Sequence, residues 1–109
     1  MQWDLDRLLG VFNQMESDGF DTHNFLKWGF FFVADEERKL NELGIKLVDQ
    51  AYSLEYLEEN DEDSWQLYVT TVKILSAQEL HEKNIEFSEL AENLGIQYDG
   101  WDVERLSQT

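Results

Sequence analysis

Carboxylates are the reactive groups this sequence carries in quantity. Asp and Glu number 24 against 8 Lys and Arg, a formal net charge of −16. Two carboxylates can share acid–base work when burial raises the pKa of one of them. Here nearly all the acids fall on polar faces or in turns, so no pair is singled out. The run Asn60 to Trp65, NDEDSW, has the acidic spacing of a calcium loop. Such a loop needs glycine at its sixth position for the sharp turn. Trp65 stands there instead, which points to a solvated hairpin turn. The only histidines are His23 and His81, and neither Asp21-x-His23 nor His81-Glu82 makes a metal-binding pattern. With no cysteine there is no thiol nucleophile, no disulfide and no Cys-based zinc site. No Gly-rich phosphate loop follows a strand, and no Ser-His-Asp order stands out. The sequence therefore predicts no catalytic residue, no metal and no cofactor. It predicts a protein that is not an enzyme and acts by contact.

Charge narrows what it could touch. A field this negative repels phosphate, which argues against direct nucleic-acid binding. It speeds encounter with a basic protein surface. The plainer reading is that the acids keep the protein soluble. No stretch approaches the roughly 18 apolar residues of a membrane span. The opening MQWDLDRLLGVF carries acids early and does not read as a signal peptide. Together with the lack of cysteine, this fits a cytoplasmic protein. The 109 residues, 42% of them hydrophobic, suit one domain with one core.

The elements follow from hydrophobic spacing. Leu5, Leu8, Leu9, Phe12 and Met15 recur at helical intervals, and Ser17 to Gly19 supplies a stop. Phe25 to Ala34, FLKWGFFFVA, is strand-length and aromatic. Leu26, Trp28, Phe30 and Phe32 share one face; Lys27, Gly29, Phe31 and Val33 share the other. Both faces are partly apolar, as in a central strand. Asp35 is the expected cap of a helix with the stripe Leu40, Leu43, Leu47 and Val48. Tyr52 to Glu59 reads as an edge strand, with Tyr52, Leu54 and Tyr56 opposite Ser53 and Glu55. A charged turn leads into Trp65 to Leu75, the clearest β run. Ser76 to Glu79, SAQE, has the pattern of a capping box. It opens a helix with the stripe Leu80, Phe87, Leu90, Ala91 and Leu94, closed by Gly95. Ile96 to Val103 is the last strand.

The order is helix, then β-α-β-β-α-β. The predicted class is α+β, a ferredoxin-like four-stranded antiparallel sheet with two helices on one face, plus an N-terminal helix. Residues 1–18 form that helix, 25–103 the core and 104–109 a tail, all in one domain. Helices on one face leave Lys27, Phe31 and Val33 on a second face. The N-terminal helix, a second copy of the chain or a protein partner could cover it. The N-terminal helix is the expected cover for part of it, because its apolar stripe otherwise has nowhere to pack.

The motif Tyr98-Asp99-Gly100-Trp101, in what reads as an edge strand, suggests a bulge that takes Trp101 out of simple alternation. Trp101 would anchor the strand, with Gly100 making room. At this motif, YDGW after the helix ELAENLGI, the chain resembles the regulator of ribonuclease E activity B family of bacterial ribonuclease inhibitors. FFVADEERKL from Phe31 to Leu40 and VKIL from Val72 to Leu75 support the resemblance in the same order of elements. The polar sheet-face residues expected of the family are replaced by Gly29, Phe31 and Val33.

The resemblance implies a ferredoxin-like adapter that binds ribonuclease E or its basic scaffold region and restrains RNA decay. It carries over Tyr98, Asp99, Gly100 and Trp101 as signature positions for binding. Two alternatives stand beside it. One is a self-associating module that dimerises through the apolar second sheet face. The other is a small-molecule sensor, by analogy of fold alone.

Overall fold

A computed structural model describes residues 3–60 and 63–106. The elements are α1 (Leu5–Ser17), β1 (Leu26–Ala34), α2 (Glu37–Asp49), β2 (Ser53–Glu59), β3 (Trp65–Lys73), α3 (Ala77–Leu94) and β4 (Gln97–Glu104). The class is α+β. The four strands form one antiparallel sheet in the order β2-β3-β1-β4. β1 and β3, the two most apolar runs of the sequence, are its central pair. β2 and β4 are the edges, as the weak alternation of the one and the glycine in the other suggest. Each helical crossover returns the chain two strands away. β1 and β2 therefore run parallel with β3 between them, and β3 and β4 run parallel with β1 between them.

One sheet face carries the core. Trp28, Phe30 and Phe32 of β1 and Leu67 and Val69 of β3 are fully buried. Phe87 of α3 sets its ring edge-on against Phe30 and Phe32, at 5.0 and 5.3 Å between centroids. Edge-to-face pairing of this kind adds about 0.5–1.5 kcal/mol beyond area burial. Leu40, Leu43 and Leu47 of α2 close the other half of this layer. Gly44 lets α2 sit low, because a Cβ there would lie 3.0 Å from Leu54 Cδ1. Val48, expected in the same stripe, is 49% exposed, while Leu47 beside it is buried.

All three helices lie on this one face. The expectation that α1 covers part of the second face is corrected by the structure. Phe12 of α1 stacks on Trp28 at 5.9 Å, and Trp28 belongs to the buried face. Leu8, Phe12 and Met15 extend the same core beside α3. The apolar stripe of α1 thus found its place at the β4 side of the helical layer, where Trp28 offered an uncovered indole. Among the described residues no helix covers the opposite face.

The termini of the helices show which local signals were strong. The capping box is complete: Ser76 Oγ accepts from the Glu79 backbone, and the Glu79 carboxylate accepts from the Ser76 backbone. Gly95 closes α3 in the left-handed region. Asp35, by contrast, is not the cap of α2. That position is Glu36, which makes no side-chain capping bond, and Asp35 instead lies 3.6 Å from the Lys39 ammonium. The expected tail, 104–109, begins inside the last strand. Glu104 is still in β4, and Arg105 donates to the Asp18 carbonyl at 2.7 Å with its guanidinium over the Phe20 ring. The centre of the NDEDSW turn, Asp61 and Glu62, lies outside the described residues, as does the end of the tail at 107–109.

Candidate functional site

The C-terminal motif is built around an irregularity. Phe32 of β1 pairs with Tyr98, but the next residue, Phe31, pairs with Gly100. Asp99 is the extra residue, so β4 carries a bulge there. A regular strand would put Tyr98 and Trp101 on opposite faces. The bulge resets the alternation, and both rings point into the helical layer. Tyr98 is buried against Phe32, Phe87 and Trp3, and its phenol donates to Asn84 Oδ1 at 2.6 Å. Burial first, and then Tyr52, push its pKa well above the ordinary 10.0 of a tyrosine. Trp101 is partly buried and lies tilted against Trp28 at 5.9 Å.

Gly100 has φ +123°. Nothing lies within 4 Å of where its Cβ would be. The expectation that Gly100 makes room for Trp101 is therefore corrected: its role is conformational. Only glycine adopts that backbone region without strain, and the bulge needs it. Asp99 is exposed at the bulge, so the motif presents a carboxylate outward while it anchors two rings inward.

The opposite sheet face is the larger feature. β1 places Lys27, Gly29, Phe31 and Val33 there, each opposite a β3 residue of the same face: Val72, Thr70, Tyr68 and Gln66. A second bulge, at Glu55 of β2, breaks the alternation expected for that strand. It turns Tyr56 onto this face opposite Tyr68, although the sequence pattern groups Tyr56 with Tyr52 and Leu54. Three rings then lie in a row. Phe31 stacks on Tyr68 at 4.4 Å and 17°, and Tyr68 meets Tyr56 at 5.4 Å.

Tyr68 lies flat across the sheet. Its phenol crosses β1 above Gly29 and donates to Asp102 Oδ1 of β4 at 2.9 Å. A Cβ at Gly29 would collide with both Asp102 Oδ1 and the edge of the Tyr68 ring. Gly29 is thus the gap through which a β3 side chain reaches β4. Burial, then the bond to Asp102, then the charges of Asp102, Glu104 and Glu55 push the Tyr68 phenol well above its ordinary pKa. Burial and the charges of Glu58 and Asp102 do the same, more weakly, for Tyr56.

Carboxylates frame the rings. Glu55 accepts from the Thr70 hydroxyl at 2.7 Å and lies 3.5 Å from the Lys27 ammonium. The Thr70 bond is the main reason its pKa is lowered; Lys27 adds to it. Glu58, Asp102 and Glu104 stand around the same row. Lys27 is the one cation placed on this face among the described residues. A lowered carboxyl pKa is the opposite of what a general acid needs. The arrangement can hold a cation or a polar chain by contact.

The expected site residues divide between these two places. Tyr98, Asp99, Gly100 and Trp101 form the bulge at the sheet edge, with both rings facing the helices. Lys27, Phe31 and Val33 lie together on the uncovered face. Tyr56, Tyr68 and Asp102 join them there without having been singled out in the sequence. The signal for Tyr68 was Gly29, an isolated glycine in an aromatic strand, which commonly marks close approach by a neighbour. His23 and His81 stay apart, and no group of His, Cys, Asp and Glu among the described residues could hold a metal. No helix among the described residues is long and apolar enough to cross a membrane.

No curated protein matches the chain. A family model does, that of the regulator of ribonuclease activity B, over residues 9–103. The match takes in most of α1, β1 to β3 in full, and β4 as far as Val103, with the bulge. It is thus broader than the strands and helices whose motifs suggested it. By this match the chain belongs to the regulator of ribonuclease activity B family.

Proposed function

We propose that this protein is a cytoplasmic, non-catalytic regulator that binds ribonuclease E, or the scaffold region of that enzyme, and slows RNA decay. The observation that carries the reading is family membership over nearly the whole chain. The net charge of −16 supports it, since an anionic protein is steered toward a basic protein segment and away from RNA itself. We take the fold to be a single ferredoxin-like domain. Read from its other edge the strand order is β4-β1-β3-β2, with two interleaved split β-α-β units, which favours that assignment. In this reading Asp99 at the bulge and the uncovered face with Lys27, Phe31 and Val33 are the surfaces offered to a partner. Tyr98, Gly100 and Trp101 hold the edge in shape.

The test is a pull-down of purified ribonuclease E by the purified chain across a salt series, with RNA cleavage measured in parallel. Binding that weakens as salt rises, with slower cleavage, is the expected result. No binding at low salt removes ribonuclease E as the partner.

A second reading rests on a hollow between α1, α3 and β4. It is lined by Trp3, Arg7, Leu8, His81, Asn84 and Trp101. The buried His81 Nδ1 finds no hydrogen-bond partner there among the described residues. A small polar metabolite would find Arg7, His81 and Asn84 as the polar side chains among the named lining residues. A flat thermal-shift response to a metabolite panel retires this reading.

A further inference from the structure

The uncovered face combines two features. One is an aromatic row, Phe31–Tyr68–Tyr56, in which Phe31 stacks on Tyr68; the other is a rim of carboxylates with Lys27 as its one cation among the described residues. We propose that this face is a docking surface for an arginine-bearing segment of a partner protein, with guanidinium groups stacked on the aromatic row and held by the surrounding carboxylates.

Each part of the face selects for that chemistry. A guanidinium is planar, always charged and weakly hydrated, so it stacks on rings more readily than an ammonium does. Phe31 and Tyr68 already lie nearly parallel to each other, and Tyr68 is held flat over Gly29 by Asp102. The platform therefore exists before the partner arrives, and little ordering cost remains. Asp102 receives the Tyr68 phenol on Oδ1 and keeps further acceptor capacity, and Glu104 shares its face of the sheet. Glu58 stands at the other end, by Tyr56. The same carboxylates argue against the other occupants. A second copy would bring Glu55, Glu58, Asp102 and Glu104 against their own equivalents, and like charges facing each other cost affinity. An RNA strand would stack on the rings but meet the same repulsion at its phosphates.

This inference deepens the reading of the protein as a binding regulator, but it names a surface and a partner chemistry that can fail separately. The probes are three synthetic peptides of equal length, identical but for arginine, lysine or citrulline at spaced positions. They are titrated into the full chain, with binding followed by tyrosine and tryptophan fluorescence and by amide shifts in NMR spectra. The arginine peptide should bind more tightly than the lysine peptide, by about 2- to 5-fold for each stacked side chain. The citrulline peptide should bind least. Amide shifts should gather on β1, β2 and β3 residues around Phe31, Tyr56 and Tyr68. Phe31→Ser, which leaves Tyr68 and its bond in place, should narrow the gap between the arginine and lysine peptides, since one of the three rings is lost. Glu92→Gln, on the exposed side of α3, should not change the arginine preference.

Equal affinity for the arginine and lysine peptides overturns the proposal, as do amide shifts that gather elsewhere. A dimer in sedimentation that Phe31→Ser dissolves also overturns it, in favour of a second copy. If ribonuclease E binds the wild type and Phe31→Ser equally, the face is wrong and the ribonuclease reading stands. If the peptides are discriminated but ribonuclease E does not bind, the face stands and the partner is another arginine-bearing protein.

Discussion

The flat posture of Tyr68 depends on a missing methyl group, and Gly29→Ala tests that dependence. The added Cβ would overlap both the Tyr68 ring edge and Asp102 Oδ1. β1 is the central strand, paired on both sides, with Trp28 and Phe30 packed to zero exposure beneath it. Its backbone has no room to retreat, so the tyrosine must lift. Lifting it breaks the hydrogen bond to the Asp102 carboxylate. Bonds to charged groups contribute about 1.5–3 kcal/mol when buried, and on this partly exposed face we take roughly 1–2. It also disturbs the 4.4 Å stack on Phe31, about 0.5–1.5 kcal/mol. Against this, alanine restricts the unfolded chain and returns about 0.4–1 kcal/mol. The net expected loss is about 1–3 kcal/mol, a fall in melting temperature of roughly 5–15 °C for a chain of this size.

The assay is urea denaturation of four proteins: wild type, Gly29→Ala, Tyr68→Ala and the double variant. If the clash with Tyr68 is the main cause, Gly29→Ala should cost clearly less once Tyr68 is gone, since only the Asp102 carboxylate, freed of its phenol partner, then has to turn aside. An equal cost in both backgrounds, or a gain in the wild-type background, refutes the argument that Gly29 exists to let Tyr68 cross the sheet.

Four further outcomes follow from particular residues. Gly100→Ala should lose about 1–3 kcal/mol from backbone strain alone, because φ is +123° and the space around it is empty; Gly10→Ala, exposed in α1 with equal space, should instead gain about 1 kcal/mol in the same denaturation experiment. Trp101→Ala should cost about 2 kcal/mol, below the roughly 3–5 of a fully buried ring, since the indole is only partly covered; a loss below 0.5 kcal/mol would make it a pure contact residue. All four tyrosines have folded-state pKa values raised above 10.0, so the folded chain keeps phenolic protons that the unfolded chain releases. Their stabilising contribution is full below about pH 10 and is lost as pH rises through and above it. Tyrosinate absorbance should therefore appear together with unfolding, and titration of every tyrosine near pH 10 in a still-folded chain would contradict the packing of Tyr68 and Tyr98.

Much of the fold was legible because local and global signals agreed. The capping box, Gly95, the apolar runs of β1 and β3 and the glycine of the YDGW bulge each needed only a few neighbouring residues to be read. What escaped was set by partners far along the chain. α1 sits on the helical face because Trp28 left an indole uncovered, and no periodicity in α1 can show that. Asn84 interrupts the apolar stripe of α3 as an ordinary polar residue would, yet it is buried because the Tyr98 phenol reaches it from fourteen residues away. Tyr56 changes face because of a bulge at Glu55, and a one-residue shift inverts every side chain beyond it. The residues of the uncovered face were half visible. Phe31 and Val33 follow from alternation in β1, whereas Tyr68 and Asp102 join them only through register.

The two bulges also explain how a chain of this size supports both a core and a surface. At β4 the bulge turns a ring inward, so that Tyr98 and Trp101 both feed the helical layer. At β2 the bulge turns a ring outward, adding Tyr56 to Tyr68 and Phe31. Strict alternation would have placed Trp101 on the open face and Tyr56 on the helical one. The open face would then have an indole against its β4 edge and no ring at β2, and the carboxylates of Glu55 and Asp102 would no longer bracket one continuous row. The asymmetry of the sheet, apolar and closed on one side, aromatic and anionic on the other, is therefore produced at Glu55 and Asp99. A partner that reads the open face depends on those two irregular positions as much as on the rings it touches.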